Sequence, residues 1–104
     1  MFLVVFRNRK RVDIDSAAYA ADAAAMETMA AQQPGFRSFK SYTAEDGEVV
    51  AISEWDSADN ARAWGQVSDH RAMQGKGRDQ YYASYTLFAC DNPHIHEFSQ
   101  RGRQ

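Results

Sequence analysis

Two apolar runs, one at each end of the chain, constrain its fold more than any other feature. Phe2-Leu3-Val4-Val5-Phe6 and Tyr82–Cys90 are rich in β-branched and aromatic residues and read as strands. Neither confines its apolar residues to one parity. Phe2, Val4 and Phe6 stand against Leu3 and Val5, and Tyr85 and Leu87 against Phe88 and Cys90. Strands of this kind are covered on both faces. A chain of 104 residues builds one core, not two. Its own helices can cover one face of such a sheet, and the other needs a cover from elsewhere.

The segments between these runs supply the helices. Asp15 or Ser16 caps a helix in which Tyr19, Ala23, Met26 and Ala30 recur at helical spacing, and the alanine density favours it. Pro34-Gly35 ends that element. Phe36–Tyr42 and Val49–Trp55 read as a hairpin around the Asp46-Gly47 turn. Asp56-Ser57 opens a second helical region carrying Ala61 and Trp64 on one side. A break near Val67-Ser68 restarts it, with His70, Met73, Gln74, Gly77 and Tyr81 on one stripe. Arg7–Asp13 reads as a charged connection, and Asp91-Asn92-Pro93 turns out of the last strand.

The order β-α-β-β-α-β, its second helix split, is the ferredoxin-like α+β arrangement. In it a four-stranded antiparallel sheet carries its helices on one face. An uncovered apolar sheet face of this size is unusual on a monomer. A second copy of the chain is the expected cover, which makes a homodimer through the sheet face.

Charge and cysteine content narrow the function classes. Lys+Arg 12 against Asp+Glu 14 leaves a net charge of -2, with no basic excess to recruit nucleic acid or an anionic membrane. One cysteine, Cys90, excludes an intrachain disulfide and cysteine-based zinc clusters. The apolar start precedes the charged Arg7–Arg11 rather than following it, unlike a secretory leader, and no run is long enough to span a bilayer. The expectation is one cytoplasmic domain over residues 1–104, with a C-terminal tail from about residue 91.

Four segments carry a resemblance to a known family. Gln33-Pro34-Gly35-Phe36, Tyr42-Thr43-Ala44-Glu45-Asp46-Gly47, Ile52-Ser53-Glu54-Trp55-Asp56-Ser57 and Ala63-Trp64, together with the order of elements, resemble the antibiotic biosynthesis monooxygenase family. The similarity runs from Met1 to about Cys90. It implies a dimeric α+β barrel with a pocket between the sheet and helices of each subunit. Some members of that family oxygenate phenolic or quinol-like aromatics with no metal or organic cofactor, others bind and degrade haem, and many have no established activity. A histidine just after the break between the two short helices recurs in the family pattern, where His70 stands.

His70 is the candidate base, because imidazole titrates near neutrality and can remove a phenol proton. A helix-capping or surface histidine is the plainer alternative. Trp64 can stack on a flat aromatic ligand or pack the core, and Met73 is pocket wall or core. Tyr81, Tyr82 and Tyr85 can donate hydrogen bonds to a ligand oxygen. Asn8, in its Asn-Arg context, resembles the polar pocket asparagine of the haem-degrading members, though an exposed strand end accounts for it more simply. The haem reading is weakened by spacing: the ligand position falls near Met73 or Gln74, one turn beyond His70. His94 and His96 form an incomplete metal site, and Arg7-Asn8-Arg9-Lys10-Arg11 reads as a solvated loop.

The leading expectation is therefore a cofactor-independent monooxygenase acting with O2 on a small electron-rich aromatic of quinol or polyphenol type. His70 is its base, and Trp64, Met73, Tyr81 and Asn8 contact the substrate. A non-catalytic dimer binding a hydrophobic ligand is the alternative from another class, and a haem-binding or haem-degrading protein the third reading.

Overall fold

A computed structural model of the chain describes residues 1–100, the side chains of residues 68 and 69 excepted; residues 101–104 of the expected domain lie outside the described residues. The elements are β1 (Phe2–Lys10), α1 (Ser16–Ala31), β2 (Phe36–Thr43), β3 (Val49–Trp55), α2 (Ala58–Gly65), α3 (Ser68–Lys76), a π-helical turn (Gly77–Tyr81) and β4 (Tyr82–Asp91). The sheet runs β2-β3-β1-β4, and every neighbouring pair is antiparallel. This is the ferredoxin-like α+β fold that the order of elements implies.

Local chemistry sets the boundaries. Asp15 caps α1, its Oδ1 accepting from the Ala18 N–H at 3.0 Å, and Ser57 caps α2, its Oγ accepting from the Asn60 N–H at 3.1 Å. Between α1 and β2 the chain turns at Gly35 with φ +80°, and a Cβ there would fall 2.3 Å from Asn60 Cγ. Only glycine serves at this point, for the backbone angle and for the approach of α2. In the hairpin, Gly47 has φ +92°, and Asp46 Oδ1 accepts from the Glu48 N–H at 3.1 Å. That backbone bond and the Arg9 guanidinium hold the Asp46 carboxyl below its ordinary range.

One boundary departs from expectation. β1 does not stop at Phe6; it continues to Lys10, and the connection to α1 is correspondingly shorter. The charges are tolerated because strand parity sorts them. Arg7 and Arg9 point away from the helices and pair with Glu48 at 3.2 Å and Asp46 at 2.7 Å. Asn8 and Lys10 point the other way, alongside Phe6.

The sheet therefore has two unlike faces. On the inner face, Phe2, Val4, Phe6, Ala51, Trp55 and Leu87 look toward the helices. The outer face carries Leu3, Val5, Val50, Ile52 and Phe88 in the alternate positions of the same ladders. Phe88 is 49% exposed there. Among the described residues no helix is long and apolar enough to cross a membrane.

Candidate active site

A cavity of about 870 Å³ lies between the inner sheet face and the helices. That volume falls in the range of sites for small organic ligands. The helical stripe of Tyr19, Ala23, Met26 and Ala30 on α1 forms one wall, and His70, Met73, Gln74, Gly77 and Tyr81 form another. Both stripes follow from helical spacing, and the second stays in phase through the π-helical turn.

At one end the wall is aromatic. The Trp64 and His70 rings stack with centroids 4.1 Å apart and planes 10° apart. Trp64 in turn lies over Trp55 at 6.4 Å and 24°, and Trp55 meets Phe36 edge-on at 5.5 Å. The interruption of the helix between α2 and α3 makes this possible, since it brings the His70 ring, from the first turn of α3, back against Trp64 in the last turn of α2. His70 Nδ1 lies 3.0 Å from the Trp64 carbonyl oxygen. A carbonyl only accepts, so Nδ1 carries the hydrogen and Nε2 keeps its lone pair. Burial lowers the His70 pKa from its ordinary value of 6.5, and the bond to Trp64 opposes part of that shift. The ring is neutral at pH 7, in the tautomer a general base requires.

The opposite end is polar. Asn8 is 3% exposed, and its Oδ1 accepts a hydrogen bond from Lys10 Nζ. The Lys10 ammonium also sits 4.6 Å from the Tyr19 ring centroid and 5.3 Å from that of Tyr82. Nearby, the buried Tyr81 donates its hydroxyl to Asp22 Oδ2 at 2.5 Å, and Lys76 Nζ lies 2.8 Å from the same oxygen. The Lys76 and Tyr81 hydrogen bonds hold the Asp22 carboxyl below its ordinary range; the bond to Asp22 raises both Tyr81 and Lys76. Burial, with Tyr19 alongside, raises Tyr82 as well. This clasp ties α1 to the end of α3. Asp22→Ala should bring the Tyr81 titration down toward that of an ordinary tyrosine, an earlier ionisation step in the ultraviolet pH titration of the five tyrosines.

All five residues expected at the site, His70, Trp64, Met73, Tyr81 and Asn8, line this cavity, but they do not converge on one point. On β1, Phe2 stands opposite Trp55, whereas Asn8 stands opposite Val49. Six residues of strand separate the two positions, about 20 Å. His70 and Trp64 belong with the Trp55 end, Asn8 and Tyr81 with the Lys10 end, and Met73 lies on α3 between His70 and Lys76. Asn8 is not an exposed strand end, because β1 runs past it and the side chain points inward. The Tyr81 hydroxyl is committed to Asp22. Tyr82 and Tyr85 also line the cavity, on the strand that closes the polar end.

Lys10, Asp22 and Trp55 are site residues that sequence reasoning missed. Period-two parity would have found Lys10 had the strand been carried through the charged run, since Lys10, Asn8 and Phe6 share a face. Away from the cavity, Cys90, His94 and His96 are exposed, and no cluster of three metal-ligating side chains occurs among the described residues.

Residues 1–76 match the family model described as antibiotic biosynthesis monooxygenase. This chain belongs to that family. The matched span holds Asn8, Lys10, Trp64, His70 and Met73, while Tyr81 and β4 lie beyond it. YqjZ of Bacillus subtilis (strain 168) is 38% identical over 69 residues, which are 66% of this chain and 60% of that protein. The chain thus matches less than two thirds of that relative's length. Solved structures share the fold at lower identity. Rv0793 from Mycobacterium tuberculosis is 21% identical with TM-score 0.77, covering 94% of this chain and 98% of its own. An antibiotic biosynthesis monooxygenase, so described provisionally, from Deinococcus radiodurans is 8% identical with TM-score 0.81, covering 96% and 100%. A mutant of SnoaB from Streptomyces nogalater, described as a cofactor-independent oxygenase, is 24% identical with TM-score 0.67, covering 91% and 98%.

Proposed function

We propose that this chain is a cofactor-independent monooxygenase that oxidises a small electron-rich aromatic, of quinol or polyphenol type, with O2. The observation that supports it is the His70 imidazole: half-buried, neutral, fixed in one tautomer by the Trp64 carbonyl and set in the wall of a ligand-sized cavity. Nε2 takes the proton of a phenolic hydroxyl, and the resulting phenolate passes one electron to O2. The substrate radical and superoxide combine into a carbon–oxygen bond, and loss of water leaves the oxygenated quinone. For a quinol the balance closes without a reductant. Quinol plus O2 gives hydroxyquinone plus H2O, and the four electrons that reduce O2 come from the ring. Trp64 and Met73 hold the ring being oxidised, and Asn8 and Tyr81 line the far end of the cavity. The apolar wall keeps water from the intermediates.

In this reading the active species is a homodimer joined through the outer sheet face, where Leu3, Val5, Ile52 and Phe88 form the apolar contact. Sedimentation velocity at micromolar concentration should give twice the chain mass. Phe88→Glu, which places a charge on that face, should give the monomer.

The test of the activity is oxygen consumption by purified, metal-free protein across a panel of quinols and polyphenols. The expected stoichiometry is one O2 consumed per oxygenated product. Binding of these aromatics with no oxygen uptake on any of them would assign the cavity to ligand binding without catalysis.

A further inference from the structure

The polar end of the cavity holds a cation with no anion of its own. Lys10 Nζ faces the cavity between the Tyr19 and Tyr82 rings, and its one hydrogen-bond acceptor is the neutral Asn8 amide. The nearby carboxylate, Asp22, is engaged by Lys76 and Tyr81. Among the described residues no carboxylate oxygen lies within 4 Å of Lys10 Nζ or of the Arg78 guanidinium, the other cation of the lining without an ion-pair partner, whereas Arg62 of the lining pairs with Asp59. The charged side chains that line the cavity are Lys10, Arg62 and Arg78 against Asp22 and Glu27. Asp22 is already paired with Lys76 from outside the lining, so positive charge is in excess.

The Asn8 amide adds a second donor. An ammonium only donates, so Oδ1 must be the atom turned toward Lys10, and Nδ2 is turned away from it. No protein acceptor meets Nδ2 among the described hydrogen bonds, and Asn8 is a residue of the cavity wall. An ammonium and an amide N–H thus share one end of a largely apolar cavity, remote from His70. Such donors interact strongly with an anionic oxygen and weakly with a neutral one.

We propose that Lys10 and Asn8 form an anion anchor, so that the ligand of this cavity is an aromatic bearing an ionised oxygen group of carboxylate type at the end away from the ring held at Trp64. This rests on the cavity being the ligand site, as the proposed function has it, and specifies the substrate class: aromatic acids rather than neutral phenols. The anchor also orients the ligand, since reversing it would place the anion against Trp55 and Trp64 and leave Lys10 facing an apolar edge.

Calorimetric titration tests the proposal with two probes, a hydroxybiphenyl carboxylic acid with its phenol and carboxylate at opposite ends and the corresponding carboxamide. At neutral pH the wild-type protein should bind the acid at least about tenfold more tightly than the amide, the effect of one charge-assisted hydrogen bond. Lys10→Met should abolish that preference and Lys10→Arg should keep part of it, with circular dichroism confirming that each variant is folded. Equal binding of the two probes by wild type, an unchanged preference in Lys10→Met, or binding of neither at millimolar concentration would overturn the anchor. The wild-type ratio stands even if the variants fail to fold. His70→Gln should retain the preference, so a failure of catalysis and a failure of the anchor give different results.

Discussion

His70→Ala should reduce oxygen uptake by about 10²–10⁴-fold, the usual contribution of a positioned general base. The loss should fall on kcat and kcat/KM together, because proton removal is needed only as the reaction proceeds and the ring is one part of a large wall. The pH profile gives a second reading of the same residue. A base works in its neutral form, and burial lowers the His70 pKa from 6.5. Activity should therefore be level through pH 7 and fall only on the acid side of that value, whereas a solvent-exposed imidazole would begin to lose activity nearer neutrality. Unchanged turnover in His70→Ala, or a profile with no acid limb, would remove His70 as the base. Thermal unfolding of the variant should change little by comparison, since His70 is half-buried at the end of the stack, whereas Trp55 is the fully buried member.

Much of this site was legible in the sequence because helical spacing and family resemblance act on the same residues. The stripe from Tyr19 to Ala30 and the stripe from His70 to Tyr81 both face the cavity as their spacing requires. The second survives a change of helix type at Gly77–Tyr81, where the wider turn brings Tyr81 onto Asp22 and starts β4 in register with Lys10. Charge misled the reading of β1. A run of basic residues looks like solvent-exposed loop, and the partners that make it a strand, Glu48 and Asp46, lie about forty residues away in the hairpin. Propensity cannot see that pairing, since it exists only once the sheet is formed. The same long-range geometry hid the separation between the two ends of the cavity. Spacing places Asn8, Tyr81 and His70 on facing walls, but only the ladder register shows that Asn8 stands about 20 Å along the strand from the Trp55 end.

The His70 ring is held by a stack whose base is Trp55, and Trp55→Ala should be the most destabilising single change in the described core. Trp55 is 2% exposed, donates its indole N–H to Ser53 Oγ at 3.2 Å, and touches both Phe36 and Trp64. Truncating a buried tryptophan costs about 3–5 kcal/mol, a large share of the roughly 5–15 kcal/mol that keeps a domain of this size folded. Urea unfolding at fixed protein concentration should show it as a lower midpoint with an unchanged slope. A loss below about 1 kcal/mol would mean that the surrounding walls collapse into the space and that the stack is not a support. Trp55→Phe separates the structural role from the catalytic one. It keeps an aromatic surface under Trp64 but loses the indole's breadth and its bond to Ser53, so the protein stays folded with a looser stack. If His70 is aligned through that stack, Trp55→Phe should lower kcat while leaving the acid limb of the pH profile where His70 sets it. A shifted limb would instead show that Trp55 governs the burial of the imidazole rather than its aim.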